Sequence, residues 1–93
     1  MQEPAPNSFR QRLLSGAFLA GSFIKTPTAH ATEILGFCGY DFIVVDQEHA
    51  PFDRNATDIA LLAARAARIA GVVRVPTLSA DAILSVLDCG AEG

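Results

Sequence analysis

A run of four large apolar residues at positions 42–45 (FIVV) constrains the fold of this 93-residue chain more than any other feature. A strand with one face in water alternates apolar and polar residues. This run does not alternate, so it predicts a strand that is buried on both faces, as in parallel sheets covered by helices. The run leads directly into Asp46, Glu48 and His49, and sites in parallel sheets lie at the carboxyl ends of the strands.

Segments typical of strands alternate with segments typical of helices along the chain. The sequence predicts strands at residues 17–24, from about residue 41, and at residues 72–75. It predicts helices at residues 7–14, 27–38 and 55–70, and a last helix that Thr77 or Ser79 caps and Gly90 ends. This alternation calls for parallel βαβ units with right-handed crossovers.

Three parallel strands are too few to complete a sheet of this kind. A doubly wound sheet and a TIM barrel are the standard ways to complete them, and a barrel takes about 250 residues. We therefore expect an α/β fold made of the first three βα units of a TIM (β/α)8 barrel. We also expect the chain to be truncated, with a core that is incomplete in isolation.

Capping residues predict where the helices begin and end. Asn7, Thr26 and Asn55 are placed to cap the first three helices, and Gly39 and Gly71 to end the second and third. The apolar residues predicted to face the sheet are Ile34, Leu35 and Phe37 or Cys38 in the second helix, Ile59, Leu62, Ala63, Ala66 and Ile69 or Ala70 in the third, and Ile83, Leu84, Val86 and Leu87 in the last.

Charge and composition limit the possible partners. Seven basic residues against ten acidic ones give a net charge of -3, and no basic cluster is present, so we expect binding to neither nucleic acid nor membranes. Hydrophobic residues make up 51% of the chain, enough to form a core.

Residues 1–6 have the polar, proline-rich composition of a loose terminus. Cys38 and Cys89 belong to no metal-binding or redox motif, so we expect two half-buried, reduced thiols.

The amino-terminal segment also has features of a secretory signal. Arg10 and Arg12 precede the apolar sequence LLSGAFLAGSFI, and residues 29–31 have the small-x-small form of a cleavage site. Against export, the apolar sequence contains glycine and serine and is shorter than the roughly 20 residues that span a membrane. The same residues are explained by a helix, a turn and a strand. We therefore expect a cytoplasmic protein.

The three ionisable residues after the second strand are candidates for catalysis. His49 is suited to act as a general base or a ligand near neutral pH, or it is a loop histidine bonded to the backbone. Asp46 would accept a hydrogen bond from the imidazole and fix its tautomer, or it is a turn former at the strand end. For Glu48 we favour a structural carboxylate bonded to the backbone over a contact to metal-bound water.

Arg74 lies near the carboxyl end of the third strand, within a run rich in valine. A guanidinium is costly to desolvate there without an anion, so we expect either a salt bridge to Asp46 or Glu48 or an anionic substrate. Lys25, at the end of the first strand, is a candidate for Schiff-base chemistry, but we favour a solvated side chain. His30, in the first turn of a helix, is predicted to be exposed.

The segments GSFIKTPTAHATEILGFCGYDFIVVDQEHAPFD, VVRVP and ILSVLDCGAEG resemble the amino-terminal part of the HpcH/HpaI aldolase family, the metal-dependent class II pyruvate aldolases. The resemblance extends over residues 16–93. Its most specific piece is the Asp-x-Glu-His-x-Pro segment after a strand, followed by Arg-Val-Pro one helix later and Leu-Asp-x-Gly-Ala beyond. The resemblance implies that residues 1–93 are the amino-terminal part of a single barrel domain of this type.

The resemblance also implies an activity. Members cleave or form 4-hydroxy-2-oxo acids, giving pyruvate or a related 2-oxo acid and an aldehyde, with Mg²⁺, Mn²⁺ or Co²⁺. His49 matches the catalytic base, Asp46 its supporting carboxylate, and Arg74 the arginine that binds the oxo acid and stabilises the enolate. Glu48 is then expected near metal-bound water without being a ligand, and Lys25 is not needed as a covalent catalyst.

Some implied features depend on sequence that this chain does not contain. The two metal-ligating carboxylates of the family come from later strands, so we expect no metal ligands before residue 93 and no activity from residues 1–93 alone. The resemblance further suggests a homo-oligomer for the full-length protein. Two alternatives remain open: a non-catalytic barrel remnant or interaction module, and an acyl-CoA ester lyase of the citrate-lyase beta type, which DQEHAP fits less well.

Overall fold

A computed structural model of the chain describes residues 8–93, in which three parallel strands alternate with helices. The strands are Gly21–Ile24 (β1), Phe42–Asp46 (β2) and Ala70–Arg74 (β3), and the helices are Phe9–Leu14 (α1), Ala29–Phe37 (α2), Arg54–Ala67 (α3) and Ala80–Asp88 (α4). The strands pair in the order β1-β2-β3, which confirms the predicted alternation. Residues 1–6 and the proposed cap Asn7 lie outside the described residues.

The register of the sheet aligns the carboxyl ends of its strands. Ile24 pairs with Val45, and Asp46 pairs with Arg74. Since Lys25 directly follows Ile24, it stands at the same level as Asp46. Side chains alternate between the two faces of a strand, so Lys25, Asp46 and Arg74 form one row on one face of the sheet.

The two faces of the sheet have different surroundings. One face presents Ile24, Ile43 and Val45 to the helices, and these side chains are at most 3% exposed. The other, which we call the open face, carries Phe23 and Val44, and Phe23 is 49% exposed. The expectation that β2 is buried on both faces therefore holds on the helix side, whereas on the open face Phe42 and Val44 are only partly buried.

The helix α3 packs against the sheet through a different stripe from the predicted one. Its buried residues are Thr57, Ala60, Leu61, Ala63 and Ala64. Of the predicted stripe, Ala63 is buried, as are Ile69 and Ala70 just beyond the helix, but Ile59 and Leu62 are 41% and 56% exposed. The small alanine side chains let the helix lie close to the strands, and this close approach outweighs the preference for burying the larger side chains.

The helices α2 and α4 differ from the predicted stripes in the same way. In α2, Leu35 packs against the core as predicted, but Thr32 is fully buried whereas Ile34 and Phe37 are 61% and 94% exposed. In α4, Val86 is buried as predicted and Leu84 is 56% exposed. Apolar periodicity identified these helices correctly but did not determine which side of each faces the sheet.

Helix boundaries shift where short-range capping differs from prediction. Asp53 caps α3 by accepting a hydrogen bond from the backbone N–H of Ala56, so Asn55 is not the cap. The helix ends at a left-handed Arg68, with φ 61°, and β3 begins at Ala70. Gly71 therefore lies inside a strand and does not end the helix.

The other boundaries agree more closely with the sequence. Thr28 occupies the N-cap position of α2, two residues beyond Thr26. Ser79 caps α4 as predicted, and Gly39 and Gly90 have the expected positive φ. The first strand covers only the last half of the predicted segment, 17–24.

Contacts at the amino-terminal edge of the sheet hold α1 in place. Arg12 donates to Asp41 at 2.6 Å, and the backbone N–H of Ala20 donates to the same carboxylate at 2.9 Å. The hydrogen bond from Ala20, together with that from Arg12, lowers the pKa of Asp41. Within residues 8–93, no helix has both the length and the apolar character needed to cross a membrane.

Candidate active site

A fully buried carboxylate, Asp46, is the centre of the row at the carboxyl ends of the strands. Arg74 donates to it through two nitrogens, Nε to Oδ1 at 3.0 Å and Nη2 to Oδ2 at 2.6 Å. Lys25 Nζ donates to Oδ2 as well. Three adjacent strands thus contribute a cation, an anion and a second cation to one row.

The donors around Asp46 keep it ionised. The hydrogen bond from Arg74 contributes most to lowering its pKa, with further contributions from Lys25 and from the backbone N–H groups of His49 and Glu48. Burial acts in the opposite direction, but these donors outweigh it. Asp46 is therefore a permanent carboxylate near neutral pH and is not suited to exchange protons with a substrate.

Asp46 also organises the turn that follows its strand. Its Oδ1 accepts hydrogen bonds from the backbone N–H groups of Glu48 at 3.0 Å and His49 at 2.9 Å. The backbone N–H of Gln47 donates to the Arg74 carbonyl oxygen at 3.1 Å. These bonds fix the main chain at His49, which supports the turn-forming interpretation of Asp46.

The imidazole of His49 faces Glu48, and this corrects the predicted partnership with Asp46. His49 Nε2 lies 3.0 Å from Glu48 Oε1, whereas Asp46 bonds only the backbone of His49. The turn is tight enough to bring the His49 main chain to Asp46, and both Asp46 oxygens are already occupied by donors. The side chain of His49 is 66% exposed and that of Glu48 is 41% exposed.

Glu48 differs from the backbone-bonded carboxylate that we favoured. Besides His49, it lies near Arg74, with 3.8 Å between Oε1 and Nε. Its side chain is held between two other ionisable side chains because the turn carries it across the end of β3. Glu48 thus lies between Arg74, in the row of charges, and the imidazole of His49.

Arg74 adopts the internal salt bridge that was one of its two predicted environments. Its side chain remains 36% exposed, and its guanidinium carbon lies 4.7 Å from the centre of the Phe23 ring. A guanidinium has five N–H donors, and the two bonds to Asp46 leave others directed elsewhere. Arg74 can therefore hold Asp46 and still offer a positive edge to solvent.

The contact between Lys25 and Asp46 was not predicted from the sequence. We favoured a solvated lysine, and its side chain is 54% exposed, yet its ammonium group bonds the buried Asp46. Its Nζ also lies 5.7 Å from the centre of the Phe23 ring. The alignment of β1 with β2 would have placed Lys25 beside Asp46, but strand register cannot be obtained from one strand alone.

The remaining candidates lie outside the row. His30 is exposed on α2, as predicted. Both cysteines are free, with Cys38 exposed and Cys89 buried instead of half-buried.

The ionisable residues in the described part of the chain do not form a metal site. Residues 8–93 contain no group of three or more His, Cys, Asp and Glu side chains able to hold an ion. Asp46 accepts five hydrogen bonds, so neither of its oxygens is free to serve as a ligand. Asp46 is therefore not assigned as a metal ligand.

Comparisons with known proteins identify the same family that the sequence resembles. A family model described as HpcH/HpaI aldolase/citrate lyase matches residues 19–93. A hydroxypyruvate/pyruvate aldolase of Roseovarius nubinhibens is 40% identical over 90 residues, which cover 96% of this chain and 35% of that protein. A 5-keto-4-deoxy-D-glucarate aldolase of an Enterobacter species (strain 638) is 38% identical over 85 residues, which cover 91% of this chain and 33% of that protein.

Solved structures show the same similarity. The citrate synthase SbnG superposes with a TM-score of 0.86 at 36% identity, over 92% of this chain and 35% of SbnG. An HpcH/HpaI aldolase from Desulfitobacterium hafniense superposes with a TM-score of 0.84 at 26% identity, over 91% of this chain and 33% of that protein. The chain thus spans about a third of the length of these relatives and matches the first βα units of their barrels, which confirms the predicted fold class.

Proposed function

This chain belongs to the HpcH/HpaI aldolase/citrate lyase family, and from that premise we propose that it contributes to cleaving or forming a carbon–carbon bond of a 4-hydroxy-2-oxo acid. The products of cleavage are pyruvate, or a related 2-oxo acid, and an aldehyde. The names of the aldolase relatives support the reaction class. The observation that carries the proposal is the placement of Arg74 and the His49 turn around one buried carboxylate, Asp46.

Cleavage of this bond requires two groups with opposite tasks. A base removes the proton from the 4-hydroxyl group, the bond between C3 and C4 breaks, and the electron pair remains on the oxo acid as an enolate. A positive charge near the oxo group then stabilises the enolate oxygen. We assign the first task to His49 and the second to Arg74.

Glu48 and Asp46 position these two residues without taking part in proton transfer. With Glu48 Oε1 only 3.0 Å from Nε2 of His49, we assign the other ring nitrogen, Nδ1, as the proton acceptor. Glu48 therefore takes the supporting role that the sequence had suggested for Asp46. Asp46 fixes the backbone of His49 and the guanidinium of Arg74 with one side chain, so it sets the geometry between base and cation.

The proposal includes a divalent metal, Mg²⁺, Mn²⁺ or Co²⁺, as the family resemblance implies. Such an ion would be held by carboxylates of later strands, as the resemblance implies, and it would supply Lewis-acid polarisation of the oxo group of the acid. Loss of activity on treatment with a chelator, and recovery on adding back one of these ions, is the expected result. Activity that survives complete removal of metal would contradict this part of the proposal.

Turnover of the protein that contains this chain tests the assignment of His49 and Arg74. The release of pyruvate from a 4-hydroxy-2-oxo acid is measured with added Mg²⁺. We expect His49→Ala and Arg74→Ala each to lower kcat/KM by roughly a hundredfold or more. His30→Ala, which removes an exposed histidine on α2, is the matched control and should keep full activity. Unchanged turnover in both site variants would refute the assignment.

The similarity to SbnG favours a second candidate, a condensation that forms citrate. Both candidates make or break a bond beside a carbonyl group, so both use an enolate and a nearby cation. They differ in product, and supplying the protein with oxaloacetate and acetyl donors distinguishes them. Accumulation of citrate would favour the second candidate, and pyruvate release from 4-hydroxy-2-oxo acids would favour the first. A protein that gives neither product would support the non-catalytic alternative.

A further inference from the structure

The row at the strand ends contains two cations for one buried anion. Arg74 and Lys25 both bond Asp46, so the row carries a formal charge of +1. Asp46 is already satisfied without Lys25, because a bidentate guanidinium and two backbone N–H groups donate to it. A structural need to neutralise Asp46 therefore does not explain the second cation.

The neighbours of the row leave Lys25 as its least neutralised cation. Glu48 approaches the row on the Arg74 side, 3.8 Å from Nε, and no second carboxylate contacts Lys25 among the described residues. Phe23 presents its ring to both cations, and a ring face attracts a cation without cancelling its charge. With a side chain 54% exposed, Lys25 keeps an accessible positive charge.

The spacing of the two cations suits a carboxylate. Lys25 Nζ and Arg74 Nη2 bond the same oxygen of Asp46, so they lie no more than about 6 Å apart, twice an ordinary hydrogen-bond length. One carboxylate can bridge two donors at that distance by using one oxygen for each. An ammonium group has three donors, and the bond to Asp46 uses one of those of Lys25.

We propose that Lys25 is a second anion-binding residue of this site and that, with Arg74, it binds a carboxylate group of the substrate. The inference rests on the proposed function, since it uses the same strand ends and the same arginine. It adds a specific preference: ligands that carry a carboxylate next to the oxo group bind more tightly than their uncharged esters, and Lys25 accounts for part of the difference.

Binding of pyruvate, measured by titration calorimetry with Mg²⁺ present, tests the proposal independently of turnover. We expect Lys25→Met to weaken pyruvate binding about tenfold, the effect of losing one charge-assisted hydrogen bond. Lys25→Arg, which keeps the charge, should stay within about threefold of the wild type. Methyl pyruvate, which has no carboxylate, should bind wild type and Lys25→Met equally. Arg10→Met, an exposed substitution in α1, controls for the change in net charge.

Steady-state kinetics identify which carboxylate is bound. If Lys25→Met leaves pyruvate binding intact but raises KM about tenfold for a carboxylate-bearing aldehyde and not for a neutral one, Lys25 binds the carboxylate of the aldehyde, and its part in the preference for a carboxylate next to the oxo group is overturned. A Lys25→Met variant with lower kcat but unchanged binding and KM overturns it, because Lys25 would then act only through Asp46. Absence of pyruvate binding by the wild type also overturns it.

Failure of the proposed function gives a different pattern. A wild-type protein that binds pyruvate in a Lys25-dependent way but cleaves no 4-hydroxy-2-oxo acid would contradict the proposed reaction and support the carboxylate site.

Discussion

Replacing Gly71 by alanine should destabilise the protein through one contact. A Cβ atom at Gly71 would overlap the Cδ2 atom of Leu61 on α3. Leu61 is 1% exposed, so its side chain cannot swing into solvent to make room. Overpacking of this kind costs about 1–3 kcal/mol, and alanine recovers about 0.5–1 kcal/mol over glycine within a strand. The difference between these ranges is about 0–2.5 kcal/mol, and from their midpoints we expect Gly71→Ala to lower the free energy of unfolding by about 1 kcal/mol.

A double-mutant cycle with Leu61 isolates the contact. Leu61→Ala alone should cost about 2–5 kcal/mol, since it leaves a cavity in the core. In that background the added methyl group fills vacant space, so Gly71→Ala should become neutral or slightly stabilising. Denaturant unfolding of the four proteins gives the coupling, expected to be at least about 1 kcal/mol. An equal cost of Gly71→Ala in both backgrounds would refute the packing of α3 on β3, the strand that carries Arg74.

Two further predictions concern the charged row. The pKa of Asp46 is lowered from its ordinary value of 3.8, so its ionised form stabilises the fold above about pH 4, and this stabilisation is lost as the pH falls further. In denaturant titrations, Asp46→Asn should thus be less stable than the wild type at pH 7. It should also lose less stability than the wild type between pH 4 and pH 2, and parallel pH profiles of the two proteins would contradict this. Lys25 is the chain's single lysine, and its Nζ is engaged by the buried Asp46. Treatment with borohydride and pyruvate should therefore leave Lys25 unmodified by mass spectrometry, whereas a reduced pyruvate adduct on Lys25 would show Schiff-base chemistry.

Local patterns in the sequence were sufficient to predict the order of the elements and the meeting of Asp46 and Arg74 at the strand ends. The apolar run before Asp46 and the valines before Arg74 predicted two strands in a parallel sheet, and their ends meet because parallel strands present their carboxyl ends at one edge. The salt bridge between Arg74 and Asp46 was one of two predicted environments, and the register of β2 and β3 selects it.

The features that were missed depend on geometry between elements. Ile59 and Leu62 fit an apolar stripe at helical spacing, but the face of α3 that reaches the sheet is set by how closely alanine and glycine let the two approach. The partner of the His49 imidazole depends on one backbone turn. In this turn Asp46 bonds the main-chain N–H of His49, and the Glu48 carboxylate lies beside the His49 side chain. Neither outcome follows from residue types and spacing alone.

Exchange of the methyl protons of pyruvate in deuterium oxide tests most directly whether Arg74 stabilises an enolate at this site. Proton NMR follows the exchange with Mg²⁺ present and without any aldehyde, so only enolate formation is measured. We predict that the wild-type protein catalyses exchange and that Arg74→Ala, verified as folded by circular dichroism, reduces the rate by roughly a hundredfold or more, while Arg10→Ala has no effect. Exchange at the wild-type rate in Arg74→Ala would contradict the role given to this residue.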